Sequence, residues 1–501
     1  MHITTAILAI LATVALGIEE GIIRAPIIRN PNGGNPLQIA KRRLQSIQRR
    51  QLDKRDPFQA PLYNDQGSQY LIEVGIGSPA QTFAVTLDTG RQVADLWVPS
   101  TACPASNCPF SRFNSAASST FKTLNKPFGI QYGIGSVNGT YATDTVTVGG
   151  ATIPNQQFGL ASITQDILQP HTSMNNDSSG NQNQVEANGI LGMGYPSLTQ
   201  ANSQGEGAYN PFVFNLVAKG LIKEPVFSIY LNSISKTGWA GEITLGGIDT
   251  TKFDGDLTYL PVASLTSKSS TMSGGNNSSN AGYYYWMVYG QGLGVTNSNT
   301  GTNPSWRLRE VGAYILDTGT TLTYLPTSVA TEIVTAFAGP KGFALDKQSG
   351  VFIVDCATSQ SPARFELVMS QSSKVSENPI VLSVPANELV IPIDTTDVNT
   401  ATMCMFGIAP LGGSGGIGAN MYLIGDSVLR SSYMVFDMGQ NRVGLAATKG
   451  IGGTLRLNGT TTATSNTSSG VPNGQSSSDA VFQKQSLVLT MGALIFTAVL
   501  I

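Results

Sequence analysis

The sequence predicts an all-β protein built from two similar lobes, and three observations support that fold class. Residues 85–90 (VTLDTG) return later in the chain as residues 314–319 (YILDTG). Short runs of β-forming residues alternate with turn residues, and long helical periodicity is rare. The chain has 501 residues, of which only 12% are charged and 55 are glycine, so it is long enough for two domains. The internal repeat therefore predicts two related halves.

Individual elements follow from the same patterns. Runs rich in β-branched and aromatic residues predict strands at 70–75, 82–87, 144–148, 226–231, 242–245 and 314–316. Helices are predicted at 213–219 and 328–337.

Each copy of the repeat is typical of a strand that delivers a carboxylate into a turn. In both copies aspartate is followed by threonine and glycine, which suit a turn that needs backbone freedom. The motif residues are Asp88, Thr89, Gly90, Asp317, Thr318 and Gly319. Each copy is followed at a distance by two apolar residues and a glycine, at 190–192 and 423–425.

Two facing carboxylates suggest a specific chemistry. Carboxylates within about 3 Å of each other cannot both ionise, so they share one proton. One then acts as a base on a water molecule and the other as an acid, which permits amide hydrolysis without a covalent intermediate. The chain has two histidines, and His2 lies in a segment expected to be removed. A histidine-dependent triad or zinc site would thus depend on His171 alone.

Several further motifs occur in a recognisable order. They are 76–81 (IGSPAQ), 96–100 (LWVPS), 132–136 (YGIGS), 227–231 (FSIYL), 246–249 (GGID) and 435–437 (VFD). With the two repeats, they make the chain resemble the pepsin-like aspartic endopeptidases from about residue 70 to residue 447. The resemblance implies a bilobal pepsin-like fold with the active-site cleft between the lobes, polypeptide substrates, an acidic pH optimum, and neither a metal nor an organic cofactor.

The resemblance also assigns roles to site residues. Asp88 and Asp317 would be the acid–base pair, Thr89 and Thr318 would brace the two loops, and Thr320 would hydrogen-bond the second aspartate. Residues 128–141 read as a hairpin with two glycines, Gly133 and Gly135, at its tip. In the family this hairpin is a flap, in which Tyr132 would hydrogen-bond Trp97 and cover the S1 pocket.

The residues after the first motif depart from the family pattern. Arg91-Gln92-Val93 stands where the family has a single serine. The extra residues form a harmless bulge, or Arg91 points inward and lowers the pKa of the carboxyl pair, or the three residues come from a misplaced splice junction in the coding sequence. We favour the last interpretation because residues 94–98 resume the family pattern. The rival function is a catalytically impaired binding protein on the same scaffold.

Four cysteines allow three disulfide pairings, or a zinc site. The family pattern implies the pairs Cys103–Cys108 and Cys356–Cys404, and neither pair has the Cys-x-x-Cys spacing typical of zinc ligands. Disulfides fit an oxidising, secretory environment.

The N-terminus suggests targeting and processing. Residues 1–17 hold an apolar run with a small-residue cleavage site and predict a signal peptide rather than a buried helix. Residues 18–55 carry nine Lys or Arg and three acidic residues, which leaves 20 basic and 28 acidic residues elsewhere. We interpret 18–55 as a propeptide that a kexin-like protease cuts after Lys54-Arg55 and that holds the acidic body as a pH latch. A nucleic-acid-binding arm is the weaker alternative, and we expect no nucleic acid partner.

The remaining boundaries are an N-terminal lobe at 56–248, a C-terminal lobe at 249–449, a Ser/Thr/Gly-rich stalk at 450–478 and an apolar tail at 479–501. The tail, with small residues upstream that include Gly474 as the candidate attachment residue, predicts a GPI anchor; a tail anchor is the alternative. We therefore expect a monomer tethered by lipid at the cell membrane or wall, similar to fungal yapsin-like proteases. N-glycosylation sequons begin at Asn138, Asn176, Asn276, Asn277, Asn458 and Asn466.

Five other aspartates could be proposed as additional catalytic acids, but we favour a capping or loop-bracing role for each. They are Asp53, Asp144, Asp249, Asp426 and Asp437.

Overall fold

The structure is a computed structural model that describes residues 21–29, 70–90, 94–132, 135–168, 187–236, 239–267, 280–395, 397–411 and 420–457. The signal peptide, the apolar tail and the part of the predicted stalk beyond residue 457 lie outside the described residues, whereas 450–457 are described and contain the strand Thr454–Leu457. So do the individual sites Lys54, Arg55, Arg91, Gln92, Val93, Gly133, Asn176, Asn276, Asn277, Asn458, Asn466 and Gly474. Among the residues that are described, no helix is both long enough and apolar enough to cross a membrane.

The described chain is dominated by strands, numbered here in chain order. The first half contains β1 Ile23–Arg29, β2 Tyr70–Ile76, β3 Gln81–Asp88, β4 Leu96–Pro99, β5 Lys122–Gln131, β6 Ser136–Val148, β7 Ala151–Gln165, β8 Ile190–Gly192, β9 Val226–Leu231 and β10 Trp239–Leu245. The second half contains β11 Phe253–Pro261, β12 Leu265–Ser267, β13 Asn280–Gly282, β14 Met287–Thr296, β15 Ser305–Leu316, β16 Thr323–Leu325, β17 Phe343–Asp346, β18 Val351–Val354, β19 Arg364–Met369, β20 Ile380–Pro385, β21 Val390–Pro392, β22 Cys404–Phe406, β23 Ile408–Pro410, β24 Met421–Ile424, β25 Ser432–Asp437, β26 Arg442–Thr448 and β27 Thr454–Leu457.

Helices are few and short. The α-helices are α1 Gln200–Ser203, α2 Phe212–Ala218, α3 Thr327–Ala338, α4 Ala386–Leu389 and α5 Asp426–Leu429, and single 3₁₀ turns lie at Ser115–Ala117, Pro196–Leu198, Thr250–Lys252 and Cys356–Gln360. The predicted helices correspond to α2 and α3, with ends shifted by one residue. In α3 the residues Val329, Ile333 and Phe337 recur every fourth position and are buried, which explains why this segment is helical.

One large sheet connects the two halves of the chain. Its 13 strands run in the order β11-β26-β25-β9-β10-β1-β2-β3-β8-β4-β7-β6-β5. Within it β9 pairs with β10 on one side and with β25 on the other, so Ile229 faces both Ile243 and Met434. The second half adds an eight-stranded sheet, β23-β16-β24-β15-β14-β19-β20-β27, and a four-stranded sheet, β17-β18-β22-β21; β12 and β13 form a pair. The predicted all-β fold class is confirmed.

The sequence repeat is also a structural repeat. In the first half β3 runs parallel to β8, with Asp88 opposite Gly192. In the second half β15 runs parallel to β24, with Leu316 opposite Ile424. In each half, the strand that leads into the aspartate motif therefore pairs in parallel with the strand that carries the apolar-apolar-glycine motif.

Strand β1 belongs to the segment interpreted as a propeptide. It lies between β10 and β2 inside the large sheet, where Ala25 and Ile27 are buried. At Gly149, which has φ of 58°, an added Cβ would lie 2.8 Å from the Cβ of Ala25, so a side chain there would displace the strand. The basic composition of this segment predicts only an electrostatic role, although its apolar residues are also typical of a buried strand.

Both predicted disulfides are present. Cys103 bonds to Cys108 and Cys356 bonds to Cys404, and none of the four cysteines is free. The first closes the loop after β4, and the second joins the 3₁₀ turn at Cys356–Gln360 to β22.

Candidate active site

The two aspartates of the repeat meet where the two halves of the chain touch. Asp88 and Asp317 have 6% and 0% of their surface exposed, and each carboxyl lies against the motif glycine of the other half. The two surroundings match, because Gly90 N donates to Asp88 Oδ1 at 2.7 Å and Gly319 N donates to Asp317 Oδ1 at 2.9 Å. The backbone N–H two residues after each aspartate thus fixes the orientation of its carboxyl group.

The glycine of each motif lies against the carboxyl group of the opposite motif. A Cβ added to Gly90 would collide with the Asp317 carboxyl, and one added to Gly319 would collide with that of Asp88. The close approach of the two loops therefore requires glycine at both positions.

Threonines join the two loops reciprocally. Thr89 Oγ1 donates to Leu316 O at 2.8 Å, and Thr318 Oγ1 donates to Leu87 O at 2.9 Å. The backbone N–H of each threonine donates in turn to the hydroxyl of the other, at 3.3 Å and 3.1 Å. Thr320 adds a bond to the second carboxyl, because its hydroxyl donates to Asp317 Oδ2 at 2.8 Å.

The environment favours a proton on this pair. Burial raises the pKa of Asp88 well above its ordinary value, and the negative charge of Asp317 raises it further. The hydrogen bond from Gly90 N opposes these effects. Such an environment favours the state in which two neighbouring carboxyls share one proton.

The flap residues lie beside this pair as far as the structure describes them. Trp97 Nε1 donates to Tyr132 Oη at 2.8 Å, which is the hydrogen bond that the resemblance implies. Tyr132 is buried, and burial raises the pKa of its hydroxyl, with smaller contributions from the charges of Asp88 and Asp95. Tyr132 N donates to Gly135 O at 2.7 Å and closes the hairpin between β5 and β6.

Three of the other aspartates act as the capping or loop-bracing interpretation expects. Asp249 Oδ1 accepts from Thr251 N at 3.0 Å, Asp437 Oδ1 accepts from Gly439 N at 3.0 Å, and Asp144 Oδ1 accepts from Thr145 N at 2.8 Å. Asp426 is the first residue of α5. Across the described residues no group of three or more His, Cys, Asp or Glu is arranged to hold a metal ion.

Two buried carboxylates, Asp95 and Glu388, were not predicted from the sequence. Asp95 is fully buried between β4 and the flap hairpin, and Glu388 is fully buried in α4, where it pairs with Arg430. An aspartate two residues before the flap-binding Trp97 was a visible signal for the first. Glu388 and Arg430 lie far apart in the sequence, so no local sequence pattern predicts that they pair.

Comparisons with known proteins agree with this geometry. The family model described as "Eukaryotic aspartyl protease" matches residues 69–448. Mucorpepsin from Rhizomucor miehei is 32% identical over 386 residues, which cover 77% of this chain and 79% of the relative. Gastricsin from Oryctolagus cuniculus is 31% identical over 381 residues, 75% of this chain and 81% of the relative. The vacuolar aspartic protease of Candida albicans is 30% identical over 394 residues, 78% of each chain.

The family match covers both aspartate motifs and all but one strand of the large sheet, since β1 alone precedes residue 69. Together with the duplicated carboxyl site, it means that the chain belongs to the eukaryotic aspartyl protease family and is an aspartic-type endopeptidase.

Proposed function

We propose that Asp88 and Asp317 are the catalytic pair and hydrolyse peptide bonds by activating a water molecule held between them. The observation that carries this assignment is the close approach of the two buried carboxyls, each of which lies against the motif glycine of the other half and accepts the N–H of its own motif glycine. Sharing one proton gives the pair a base and an acid at once.

The steps follow from that arrangement. The ionised carboxylate takes a proton from the water, whose oxygen attacks the peptide carbonyl carbon, while the protonated carboxyl gives its proton to the carbonyl oxygen. The carbon–nitrogen bond breaks when the tetrahedral intermediate collapses. The carboxyl that took the proton from the water then gives it to the leaving nitrogen. Because the pair must hold one proton, activity is greatest at acidic pH and falls when both carboxyls ionise.

The test uses Asp88→Asn and Asp317→Asn with a peptide library as substrate. Each variant keeps the shape of the site but removes one titratable group, so we expect peptide hydrolysis to be lost while the thermal unfolding midpoint stays near that of wild type. Asp397→Asn is the matched control, because Asp397 is exposed and only caps a turn at Asn399. Hydrolysis that persists above about one per cent of the wild-type rate in either site variant contradicts the assignment.

We further infer that residues 18–55 form a propeptide whose release depends on pH. Burial raises the pKa of Glu242 in β10, and the positive charges of Lys252 and of Arg24 in β1 oppose that shift. Arg24 is thus close enough to stabilise the Glu242 carboxylate. As the pH falls and Glu242 gains a proton, this attraction to β1 weakens.

Processing is tested by N-terminal sequencing of the protein secreted by a eukaryotic host. We expect the chain to begin at Asp56 after a cut by a kexin-like protease at Lys54-Arg55. Lys54→Gln with Arg55→Gln keeps the segment's length and blocks that cut, so it should accumulate the precursor. A mature start upstream of Lys41 contradicts the propeptide assignment.

Surface attachment is inferred from the apolar residues 486–501 and the small residues at 473–478. Treatment of membranes with phosphatidylinositol-specific phospholipase should release the protein, and deletion of 486–501 should send it into the medium. Retention on membranes after phospholipase treatment favours a tail anchor instead.

An impaired binding protein is the second candidate function, and the departure at Arg91-Gln92-Val93 is the observation that favours it. It differs from the first in predicting peptide binding without turnover.

A further inference from the structure

Asp95 is a buried carboxyl that the catalytic scheme does not use. Tyr141 Oη and Tyr209 Oη both donate to its Oδ1 at 2.7 Å, and Gln200 N donates to its Oδ2 at 2.9 Å. Asp95 itself has none of its surface exposed. We call these four residues the Asp95 clamp.

The donors of the clamp come from separate parts of the fold. Tyr141 lies on β6, the second strand of the flap hairpin, Gln200 begins α1, and Tyr209 lies between α1 and α2. The ring of Tyr141 packs edge-on against the ring of Phe128 on β5, with centroids 5.2 Å apart, and also against that of Tyr209 at 5.8 Å. One carboxyl therefore fixes both the base of the flap and the α1 segment.

Asp95 is also connected to the strand pair that carries Asp88 and to the flap. Its carbonyl accepts from Gly192 N at 3.2 Å, and Gly192 is the residue that faces Asp88 across β3 and β8. Two residues after Asp95, Trp97 donates its indole N–H to Tyr132. Trp97, Tyr132, Tyr141 and Phe128 belong to one buried apolar cluster, so displacement of the clamp would be transmitted to the flap.

The chemistry of the clamp requires a carboxyl group. All three partners are donors, and a carboxylate accepts hydrogen bonds at both oxygens. An asparagine at this position would turn an N–H toward Gln200 N or toward the tyrosines, which leaves at least one buried donor without an acceptor. Burial raises the pKa of Asp95, and the hydrogen bonds from Tyr209, Gln200 N and Tyr141 oppose that rise.

We propose that Asp95 is a positioning residue for peptide binding, which holds the flap base and the α1 segment at the spacing that lets Tyr132 close over the bound peptide. The proposal rests on the proposed function of Asp88 and Asp317. Asp95 touches neither carboxyl of the pair in this arrangement, so its loss acts on binding rather than on proton transfer.

The experiment compares wild type with Asp95→Asn, Tyr209→Phe and the double variant. We expect Asp95→Asn to raise KM by about tenfold and to change kcat by less than about twofold, because a loss of uniform binding appears in KM. Tyr209→Phe should give a smaller rise, and in the Asp95→Asn background it should add little, since both changes disrupt the same hydrogen-bonded clamp. Tyr422→Phe, a buried tyrosine of the second half, is the matched control.

A second measurement separates this proposal from the catalytic assignment. The affinity of each variant for a pepstatin-type peptide inhibitor is measured directly, with the active fraction fixed by titration and folding checked by thermal unfolding. Weaker inhibitor binding in Asp95→Asn and Tyr209→Phe supports the clamp even if wild type does not turn over. Unchanged affinity and KM in both variants, or a fall in kcat at constant KM, overturns it while leaving the roles of Asp88 and Asp317 intact.

Discussion

Thr89 and Thr318 each donate a side-chain hydrogen bond into the opposite aspartate loop, Thr89 Oγ1 to Leu316 O at 2.8 Å and Thr318 Oγ1 to Leu87 O at 2.9 Å. Both threonines are buried. Since each acceptor carbonyl lies one residue before an aspartate, the pair sets the separation of the two carboxyls. Neither loop can shift without breaking bonds of both.

Removal of one threonine hydroxyl should therefore misplace the carboxyls. We expect Thr89→Ala to lower kcat/KM by about a hundredfold, the usual effect of a displacement of about 1 Å at a reacting centre. Thr89→Ser, which keeps the hydroxyl, is the control and should retain most activity. Equal kcat/KM values for the alanine and serine variants would show that the hydroxyl does not position the pair.

The raised pKa of Asp88 predicts how stability depends on pH. The group binds its proton more tightly in the folded chain than in the unfolded chain, where its pKa is near 3.8. Its contribution to stability is thus fully present below that value and is lost as the pH rises through the raised folded pKa. The free energy of unfolding of Asp88→Asn relative to wild type should grow as the pH rises from about 4 toward neutrality. Urea unfolding at several pH values measures this, and a constant difference contradicts it.

Local sequence patterns and the repeat were sufficient for much of the fold and for locating the carboxyl pair. β9 was predicted with its observed bounds because its residues are β-forming and turn residues flank it. The insertion of β1 between β10 and β2 could not be predicted, because strand order depends on contacts between distant segments. The same holds for the Asp95 clamp, whose donors lie 46, 105 and 114 residues from the aspartate.

Removal of one member of the buried ion pair between Glu388 and Arg430 should be strongly destabilising. Arg430 Nε donates to Glu388 Oε2 at 2.8 Å, and Ser233 Oγ donates to Glu388 Oε1 at 2.5 Å. Removing one partner leaves an uncompensated buried charge, so Glu388→Gln or Arg430→Met should each cost about 3–5 kcal/mol in free energy of unfolding.

A surface ion pair supplies the control for that measurement. Arg456 pairs with Glu366 at 2.6 Å with 43% of the arginine side chain exposed, and Arg456→Met should cost less than about 1 kcal/mol. The double variant Glu388→Leu with Arg430→Met should lose less stability than the sum of the losses of Glu388→Leu and Arg430→Met measured singly. Additive losses would mean that the two charges do not compensate each other.

Asn138 is the sequon within the described residues, and its surroundings suit a glycan. Asn138 and Thr140 are exposed on the same face of β6, while Val137 is buried on the other face. Asn138 lies directly opposite Ile163 of β7, whose side chain is 47% exposed and available to the first sugar. We expect Asn138→Gln and Thr140→Ala to lose a glycan that Thr140→Ser keeps, as intact-mass measurement before and after endoglycosidase treatment would reveal. A mass change on endoglycosidase treatment that is the same for all four proteins would exclude a glycan at this site.

The three residues that depart from the family pattern connect two closely held points. Before them, Gly90 lies against the Asp317 carboxyl, and after them Ala94 is completely buried and leads into the Asp95 clamp. Arg91, Gln92 and Val93 themselves lie outside the described residues. The chain has two more residues between these two points than the family pattern has, and a shift of about 1 Å at the carboxyls costs about a hundredfold in rate.

Replacement of Arg91-Gln92-Val93 by one serine should therefore raise kcat/KM by about a hundredfold. If Arg91 points inward, its charge also lowers the pKa of the carboxyl pair, so the pH profile of the unaltered chain should be displaced to more acidic pH. The measurement is kcat/KM for both proteins from about pH 3 to about pH 7. Arg91→Gln alone separates the two causes, since it removes the charge and keeps the length. Equal profiles for the chain as written and the serine version would mean that the insertion is tolerated, whereas turnover in the serine version alone would make the chain as written a peptide-binding scaffold.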